Sequence, residues 1–242
     1  MYDRTRNDQL KTGLSNSCQS VDIPEYLDRK YWWAYLHPAG VRFFDQAWVV
    51  RSILFGNYNH LKSKVVSAID SRNSDVLQIA AVYGDISQEI ARKIQPNGSL
   101  HIIDVAPIQL ANLQTKMAYY ENFYLYHRDS TDLGFPSNSF DTVLLFFLLH
   151  EQPDLVKSAT LAEACRVLKP GGKLIIIDYH KPVNWHPCKW VLMPVLRLLE
   201  PYALSLWKQP LIRFLPKQQP LAHVNICYHF GRLYQEVVVY LP

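Results

Sequence analysis

The segment SFDTVLLFFLL, residues 139–149, limits most strongly what this chain can fold into. Its apolar run is too continuous for a half-exposed strand, in which apolar and polar residues alternate. We therefore place it at the centre of a parallel sheet that is covered on both faces. Such a sheet requires helices to alternate with strands along the sequence, because parallel neighbours are joined by long crossover connections.

The sequence on both sides of this segment has that alternation. Short apolar runs predict strands at 75–82, 99–106, 122–129 and 173–179. Helical spacing predicts helices between them, at 86–94, 107–120 and 153–172. Two further apolar runs, 223–230 and 233–241, are separated only by Gly231 and Arg232 and predict an antiparallel hairpin. The predicted fold class is α/β, a doubly wound, Rossmann-like and mostly parallel seven-stranded sheet that ends in this hairpin.

The length of 242 residues suits one sizeable α/β domain with smaller additions. The predicted segments are a flexible N-terminus at 1–23, an aromatic-rich helical cap at 24–73, and a main domain at 74–242 with an insertion at about 188–220. Within the cap, Pro38 and the region of Gly56 should interrupt the helical pattern, which gives two or three helices.

Composition excludes several function classes. The net charge of +4, without a block of like charges, does not fit a nucleic-acid-binding protein. The four cysteines form no CxxC pair, which argues against a zinc ribbon or a disulfide scaffold and favours a reducing compartment. The first twenty residues contain no apolar run, and no stretch approaches the roughly 18 apolar residues of a membrane span. We expect neither a secretory signal nor a transmembrane segment.

Two motifs carry a resemblance to a known superfamily. FPSNSFDTVLLFFLLHEQP and LAEACRVLKPGGKLIIIDY resemble the fourth and fifth strand regions of class I S-adenosylmethionine (SAM) methyltransferases, and the likeness extends over about 74–241. In that superfamily the first strand runs into an acidic residue and three glycines, which allow positive φ and close approach to a ligand. Here Gln78 stands at the acidic position, and Ala80 and Val82 stand at two of the three glycine positions. Of the three glycines only Gly84 is present.

Other features of a SAM site are kept. Asp104 ends the second predicted strand, 20 residues after Gly84, where such folds hold the ribose hydroxyls. Asp129 ends the third, where the superfamily holds the adenine amino group. A carboxylate that precedes a helix at Asp104, or closes a turn at Asp129, is the alternative. The candidate cofactor-binding residues are Gln78, Ala80, Tyr83, Gly84, Asp104, Val105, Asp129 and Ser130.

A narrower resemblance accounts for the altered turn. The motifs YWWAYLHP, VYGD, FFLLHEQP and DYHKPVNWHP are similar to the RquA family of rhodoquinone-biosynthesis enzymes. The resemblance implies conversion of ubiquinone to rhodoquinone by exchange of a ring methoxy group for an amino group donated by SAM. It also implies a divalent metal cofactor, Mn²⁺ by preference. On this interpretation the turn presents the α-amino group of SAM, and not its methyl group, to the acceptor.

The chemistry needs a base, a group that polarises the ring carbonyl, and a site for the ring. The candidate catalytic residues are Tyr83 and Asp85 as proton acceptors, and His150; Asp85 could instead cap the helix at 86–94. The candidate metal ligands are His150, Glu151 and His180, which follow neighbouring strands; a metal-free pocket is the alternative. The candidate substrate-binding residues are Tyr35, His37, Phe147, Tyr179, Trp185 and His186, although His37 and His186 also fit a structural, hydrogen-bonded role.

The insertion at about 188–220 has five basic residues against one acid, Glu200, with aromatic residues between them, and it is interrupted by prolines such as Pro194, Pro201, Pro210 and Pro216. This pattern predicts short amphipathic pieces that lie on a membrane surface, with a lid packed on the protein itself as the alternative. The expected partners are ubiquinone or rhodoquinone and the membrane surface, with no nucleic acid. The expected location is the cytoplasmic face of the inner membrane, or the matrix side in a mitochondrion. A conventional quinone or small-molecule methyltransferase and a non-catalytic quinone-binding protein remain alternative functions.

Overall fold

The computed structural model of the protein describes residues 21–70, 74–217 and 221–242. Within these residues the strands are β1 (Asp75–Ile79), β2 (Ser99–Asp104), β3 (Phe123–His127), β4 (Phe140–Phe146), β5 (Leu168–Tyr179), β6 (His223–His229) and β7 (Tyr234–Tyr240). They form one seven-stranded sheet in the order β3-β2-β1-β4-β5-β7-β6. The first five strands are parallel, and β7 is antiparallel to both β5 and β6. The predicted fold class, including its C-terminal hairpin, is confirmed.

The helices lie on both faces of this sheet and at its carboxyl edge. In the described part of the chain they are α1 (Glu25–Tyr35), α2 (Pro38–Phe44), α3 (Ala47–Ile53), α4 (Tyr58–Ala68), α5 (Ile86–Ile94), α6 (Pro107–Lys116), α7 (Asp154–Val167), α8 (Cys188–Leu199) and α9 (Ala203–Lys208). Short 3₁₀ turns span Leu149–Glu151 and Leu211–Phe214. No helix among the described residues is long and apolar enough to cross a bilayer.

Strand β4 is the buried centre that its apolar run predicts. It lies between β1 and β5, and its side chains alternate between two apolar cores. Leu144 and Phe146 pack with α4 and α5, whereas Val143 and Leu145 pack with α7. Each of these fully buried side chains contributes about 2 kcal/mol to folding.

The segment before β1 holds more helices than predicted. Four short helices, α1 to α4, replace the expected two or three. Pro38 begins α2, where its missing N–H costs nothing, and Gly56 lies after α3 with a left-handed φ of +78°. The additional break separates α2 from α3 at Asp45 and Gln46. The predicted flexible N-terminus lies almost entirely outside the described residues.

The insertion between β5 and β6 is broken into short pieces, as its prolines predict. Pro201 lies between α8 and α9, and Pro210 precedes the second 3₁₀ turn. Pro194 differs from the expectation, because it is accommodated inside α8. Residues 218–220 at the end of the insertion lie outside the described part.

Candidate active site

A cavity of about 400 Å³ lies at the carboxyl edge of the parallel strands. Parallel α/β sheets bind ligands at this edge. The walls come from the ends of β1, β2, β4 and β5, from the N-terminal helices α1 to α3, and from α8 of the insertion. Most lining side chains are apolar, and a few carboxyl, hydroxyl and imidazole groups lie among them.

The turn between β1 and α5 holds its shape through an internal amide. Ala80 takes a left-handed φ of +75°, a conformation that L-residues adopt at a cost. The fully buried Gln78 donates from Nε2 to the Ala80 carbonyl (2.9 Å), and its Oε1 accepts from Ser87 Oγ (2.9 Å). Gln78 does not line the cavity. Its predicted cofactor contact is therefore replaced by a role in fixing the turn.

Tyr83 lines the cavity but is fixed by three neighbours. Its hydroxyl donates to the Ala34 carbonyl (2.5 Å) and accepts from Gln109 Nε2 (2.8 Å). Its ring stacks on Tyr35 with the ring centroids 5.7 Å apart. Burial raises the pKa of this phenol, so it stays protonated at neutral pH. The geometry does not support the predicted role of Tyr83 as proton acceptor and instead gives it a role in shaping the cavity.

Asp85 does not line the cavity. Its carboxylate accepts from Lys62 Nζ (2.7 and 2.8 Å) and from the Tyr58 hydroxyl (3.0 Å). Although burial opposes ionisation, Lys62 and Tyr58 hold the pKa of Asp85 below its ordinary value. The side chain makes no capping hydrogen bond to α5. Asp85 thus occupies the N-cap position of α5 without a side-chain cap, and its ion pair with Lys62 does not support the predicted role as a base. Gly84 is also absent from the lining, and a Cβ there would collide with the Tyr58 ring.

Asp104 occupies the position predicted for a ribose contact. It ends β2, lines the cavity beside Val105, and is 7% exposed. Oδ2 accepts from the Ala81 amide (2.8 Å) and Oδ1 from the Ala106 amide (2.7 Å), so each oxygen keeps a further lone pair. Burial raises the pKa of Asp104 to about 6, although the two amides oppose the change. A buried carboxylate held in this way can accept two hydroxyl groups of a ligand.

Asp129 and Ser130 line the same cavity beyond β3. Asp129 Oδ1 accepts from the backbone amide (2.7 Å) and the hydroxyl (2.6 Å) of Thr131, so it also closes the turn that the alternative interpretation describes. The Ser130 hydroxyl bonds to Thr160 Oγ1 (2.9 Å) and accepts from Gln152 Nε2 (3.0 Å). Both side chains are therefore held in place at the cavity wall.

His150 is buried against a carboxylate at the end of β5. Its Nδ1 lies 3.0 Å from Oδ1 of the fully buried Asp178, whose Oδ2 accepts from the amides of Leu149 (2.8 Å) and His150 (3.2 Å). Burial alone lowers the pKa of His150, but the charge and hydrogen bond of Asp178 outweigh it and raise this pKa to about 9. His150 is therefore cationic at neutral pH.

Glu151 lines the same cavity. It accepts a hydrogen bond from the Tyr35 hydroxyl, and its Oε1 lies 3.8 Å from His150 Nε2. Burial raises the pKa of Glu151 to about 8; His150 opposes this rise and Glu200 adds to it. A carboxyl with a pKa near neutrality is suited to accept and release protons.

Glu200 is the site residue that the sequence interpretation missed. It follows α8, lines the cavity, and burial raises the pKa of its carboxyl. Its Oε2 is buried and has no hydrogen-bond partner within the described residues. The one available signal was its position as the single acid in a basic insertion. Glu200 and Glu151 thus place two carboxyl groups with elevated pKa in one cavity.

The predicted metal ligands are not assembled. His180 does not line the cavity; its Nδ1 lies 3.0 Å from the Arg232 carbonyl and its ring 4.5 Å from that of Tyr228. The chain after β5 stays paired with the hairpin, since the His180 amide donates to the Leu233 carbonyl, and this carries His180 away from His150. Across residues 21–70, 74–217 and 221–242, no three His, Cys, Asp or Glu side chains are grouped to hold a metal. The residues present do not fit the three-ligand site.

A manganese titration tests this correction. We expect His180→Ala to bind Mn²⁺ as the parent protein does, because His180 is not grouped with His150 and Glu151, whereas loss of a true ligand weakens binding about 10- to 100-fold or more. Free Mn²⁺ is measured by electron paramagnetic resonance with the protein alone and again with SAM present. Tight binding by the parent that is lost in His180→Ala would restore the predicted ligand set.

The predicted substrate residues divide into two groups. Tyr35, Phe147 and Tyr179 line the cavity, where the Phe147 ring lies 5.4 Å from that of Tyr179. Trp185, His37 and His186 do not line it.

The three residues outside the cavity have other environments. His37 accepts through Nδ1 from the Ala39 amide (3.3 Å) at the start of α2, and Trp185 is 79% exposed. His186 is buried and accepts from the Cys188 amide (3.2 Å). These hydrogen bonds fit the alternative interpretation, in which His37 and His186 have a structural role.

Comparison with known proteins finds similarity to methyltransferases. Residues 76–172 match the family described as "Methyltransferase domain". The chain is 32% identical over 133 residues to the ubiquinone/menaquinone biosynthesis C-methyltransferase UbiE of Rickettsia bellii, covering 52% of this chain and 53% of that protein. It is 33% identical over 114 residues to the UbiE of Hahella chejuensis, covering 46% and 45%. The chain spans about half the length of the curated relatives it matches.

Solved structures support the fold. A SAM-dependent methyltransferase from Aquifex aeolicus aligns with a TM-score of 0.56 at 18% identity, covering 85% of this chain and 99% of that one. The N-methyltransferase NodS of Bradyrhizobium japonicum, bound to S-adenosyl-L-homocysteine, aligns with a TM-score of 0.58 at 15% identity, covering 89% and 96%. The chain shares the fold of these methyltransferase structures.

Proposed function

We propose that this protein uses SAM to replace a ring methoxy group of ubiquinone by an amino group, which yields rhodoquinone. The observation that carries the proposal is the turn after β1. Ala80 and Val82 line the cavity at two positions where the methyltransferase superfamily has glycine. The motif VYGD in this turn is similar to the RquA family, and that resemblance connects the altered turn with amino transfer from SAM.

The altered turn supports a changed position of SAM. Side chains at Ala80 and Val82 fill space that glycines leave for the methionine part of the cofactor. Tyr83 narrows the cavity further, since its ring lines the wall and its hydroxyl is fixed by the Ala34 carbonyl. In the proposed pose, the methionine portion of SAM lies farther from this turn, so that its amino group, and not its methyl group, faces the acceptor.

The residues that line the cavity fit the remainder of SAM. Asp104 offers the ribose hydroxyls two acceptor oxygens, and Asp129 and Ser130 offer polar contacts to the adenine. These side chains sit at the ends of β2 and β3, on rigid elements that fix their positions. The proposal therefore keeps the nucleoside part of SAM in the position typical of the fold.

The reaction needs a proton acceptor and a positive charge beside the ring carbonyl. SAM would supply the nitrogen: a C–N bond forms at the ring carbon that bears methoxy, and the methoxy group leaves as methanol with a proton from nitrogen. The N–Cα bond of SAM would then break with its electron pair on nitrogen, which takes up a proton, while Cβ gives up a proton and the remainder of SAM leaves as an α,β-unsaturated acid. Glu151, with its pKa near 8, takes the proton from the attacking ammonium group. His150, held cationic by Asp178, stabilises the negative charge that develops on the carbonyl oxygen.

The surface around the cavity is suited to a membrane-bound substrate. Trp48, Trp190 and Leu198 are exposed by 59%, 74% and 79%, and exposed basic side chains such as Arg51 and Arg197 lie on the same helices. Exposed aromatic and basic residues together favour the surface of an anionic bilayer. We therefore place the enzyme at the cytoplasmic or matrix face of the membrane that contains its quinone.

Methyl transfer to a quinone ring is the second candidate. The observation in its favour is the 32% identity to proteins named ubiquinone/menaquinone biosynthesis C-methyltransferase. The same base and the same cavity serve this reaction, because a ring carbon must also lose a proton when it is methylated. The two candidates differ in the atom of SAM that reaches the ring and in the ring carbon that reacts: amino transfer takes place at a carbon that bears methoxy, and methyl transfer at a carbon that bears hydrogen.

Isotope labelling decides between them. With SAM labelled by nitrogen-15 on the α-amino group and a short-tailed ubiquinone, we expect an aminoquinone that carries the label. With SAM labelled by carbon-13 on the methyl group, we expect no labelled quinone product, either from ubiquinone or from a reduced short-tailed analogue that lacks the ring methyl group and so has a ring carbon open to methylation. Mass spectrometry of the extracted quinone measures both. A carbon-13-labelled product would establish methyl transfer, and a quinone that binds but is not converted under either condition would establish a non-catalytic quinone-binding protein.

A further inference from the structure

Four apolar residues both line the cavity and are open to solvent. Ile53 of α3 is 44% exposed, and Val191, Val195 and Leu199 of α8 are 63%, 41% and 39% exposed. Because these residues line the cavity and are also exposed at the protein surface, they mark an opening of the cavity to solvent. We name these four residues the apolar opening. It lies between the C-terminal end of α3 and one face of α8.

The opening continues inward as an apolar strip. Val191, Val195 and Leu199 are spaced by four residues and therefore form one row along α8, about 12 Å long at 1.5 Å per residue. Leu192 and Leu196 lie deeper in the same wall, and both are buried. The strip thus offers apolar contact over a length greater than one ring.

The polar groups of the cavity lie apart from these four side chains. Asp104, His150 and Glu151 follow strands of the sheet, and Glu200, which follows α8, interacts with Glu151, whereas the four residues of the opening are all apolar. A ligand with a polar ring and an apolar chain is oriented by this difference, because its polar groups find partners at the strand ends and at Glu200 but none among the four residues of the apolar opening.

The volume of the cavity limits what stays inside. About 400 Å³ is near the lower end of the range for pockets that hold one small molecule, and the proposed function places both a cofactor and a quinone ring there. A chain of several isoprene units does not fit in addition. It has to leave the cavity, and the apolar opening is the route whose walls suit it.

Resting on the proposed function, we infer that the isoprenoid tail of the quinone leaves through the apolar opening, and that Ile53 and Val195, from its two walls, determine recognition of the tail. The first isoprene unit lies between α3 and α8, and the rest of the tail extends into the bilayer.

The test compares two soluble quinones in detergent-free buffer. The probes are 2,3-dimethoxy-5-methylbenzoquinone and the same ring with one isoprenyl unit, and quenching of tryptophan fluorescence measures their binding. In Val195→Glu, and separately in Ile53→Glu, we expect affinity for the prenylated ring to fall about tenfold, which corresponds to about 1.4 kcal/mol. Affinity for the tail-less ring should stay as in the parent.

Leu198→Glu is the matched control. Leu198 lies on the same helix and is 79% exposed, but it does not line the cavity. We expect it to bind both probes as the parent does. Equal weakening of both probes in the two opening variants, no weakening of either, or the same loss in Leu198→Glu would overturn the inference. A parent that binds neither probe overturns the proposed function, and the inference falls with it. A parent that binds both equally well overturns the tail route alone.

Discussion

Glu151→Gln is expected to reduce turnover about 10²- to 10⁴-fold, the range for loss of a general base. The physical reason is that an amide does not accept a proton, while its oxygen still accepts the hydrogen bond that the Tyr35 hydroxyl gives to Glu151. The variant should therefore fold and bind SAM as the parent does. Initial rates with SAM and a short-tailed quinone measure the loss, and thermal unfolding checks the fold.

The pH dependence identifies the same group. Glu151 must be ionised to act as a base, so the rate should rise with pH through about 8. His150 must be protonated to stabilise the oxyanion, so the rate should fall again as pH passes about 9. Because these groups interact, the two limbs belong to the cluster and not to single residues. A bell-shaped profile near pH 8 to 9 is the expected result.

Two variants make this expectation specific. Glu200 raises the pKa of Glu151, so Glu200→Gln should move the rising limb to lower pH. Glu89→Gln removes a carboxylate from the exposed side of α5, paired with Arg92, and should leave both rate and profile unchanged. An unshifted rising limb in Glu200→Gln, or a fully active Glu151→Gln, would remove Glu151 from the mechanism.

The fold was predictable because hydrophobic periodicity alone determines most of it. The apolar run at 139–149 requires a strand buried on both faces, and β4 is that strand. The short separation of the last two apolar runs leaves no room for a crossover, so β6 and β7 pair antiparallel. The number of N-terminal helices was harder to predict, because no proline or glycine marks the break at Asp45.

The site was predictable where a residue follows a strand. Asp104 and Glu151 could be placed because the carboxyl ends of parallel strands converge at one edge. His180 also follows a strand, but β5 pairs with an antiparallel neighbour that carries the chain away, and the sequence does not contain that information locally. Glu200 ends an insertion helix, whose docking depends on tertiary packing alone. Asp85 was misplaced because its partner Lys62 comes from the separate helix α4.

The second large effect concerns Asp104. Asp104→Ala is expected to weaken SAM binding about 100-fold, since two hydrogen bonds to a charged acceptor contribute about 3 kcal/mol together. Titration calorimetry measures the affinity. The loss has a local structural part as well, because Oδ2 of Asp104 accepts from the Ala81 amide and so holds the turn after β1. A thermal unfolding curve close to that of the parent separates lost binding from lost folding.

The pH dependence of SAM binding separates the charge of Asp104 from its packing. Burial raises the pKa of Asp104 to about 6 in the free protein, so its carboxyl is neutral below that pH and ionised above it. A neutral carboxyl offers the ribose fewer acceptor sites, and the dissociation constant of SAM should therefore rise about tenfold between pH 7 and pH 5. In Asp104→Ala this slope should be absent, because no carboxyl remains to be protonated. If the dissociation constant changed with pH equally in the parent and in Asp104→Ala, the pH dependence would belong to another group. If Asp104→Ala bound SAM at pH 7 as tightly as the parent, the ribose would bind elsewhere.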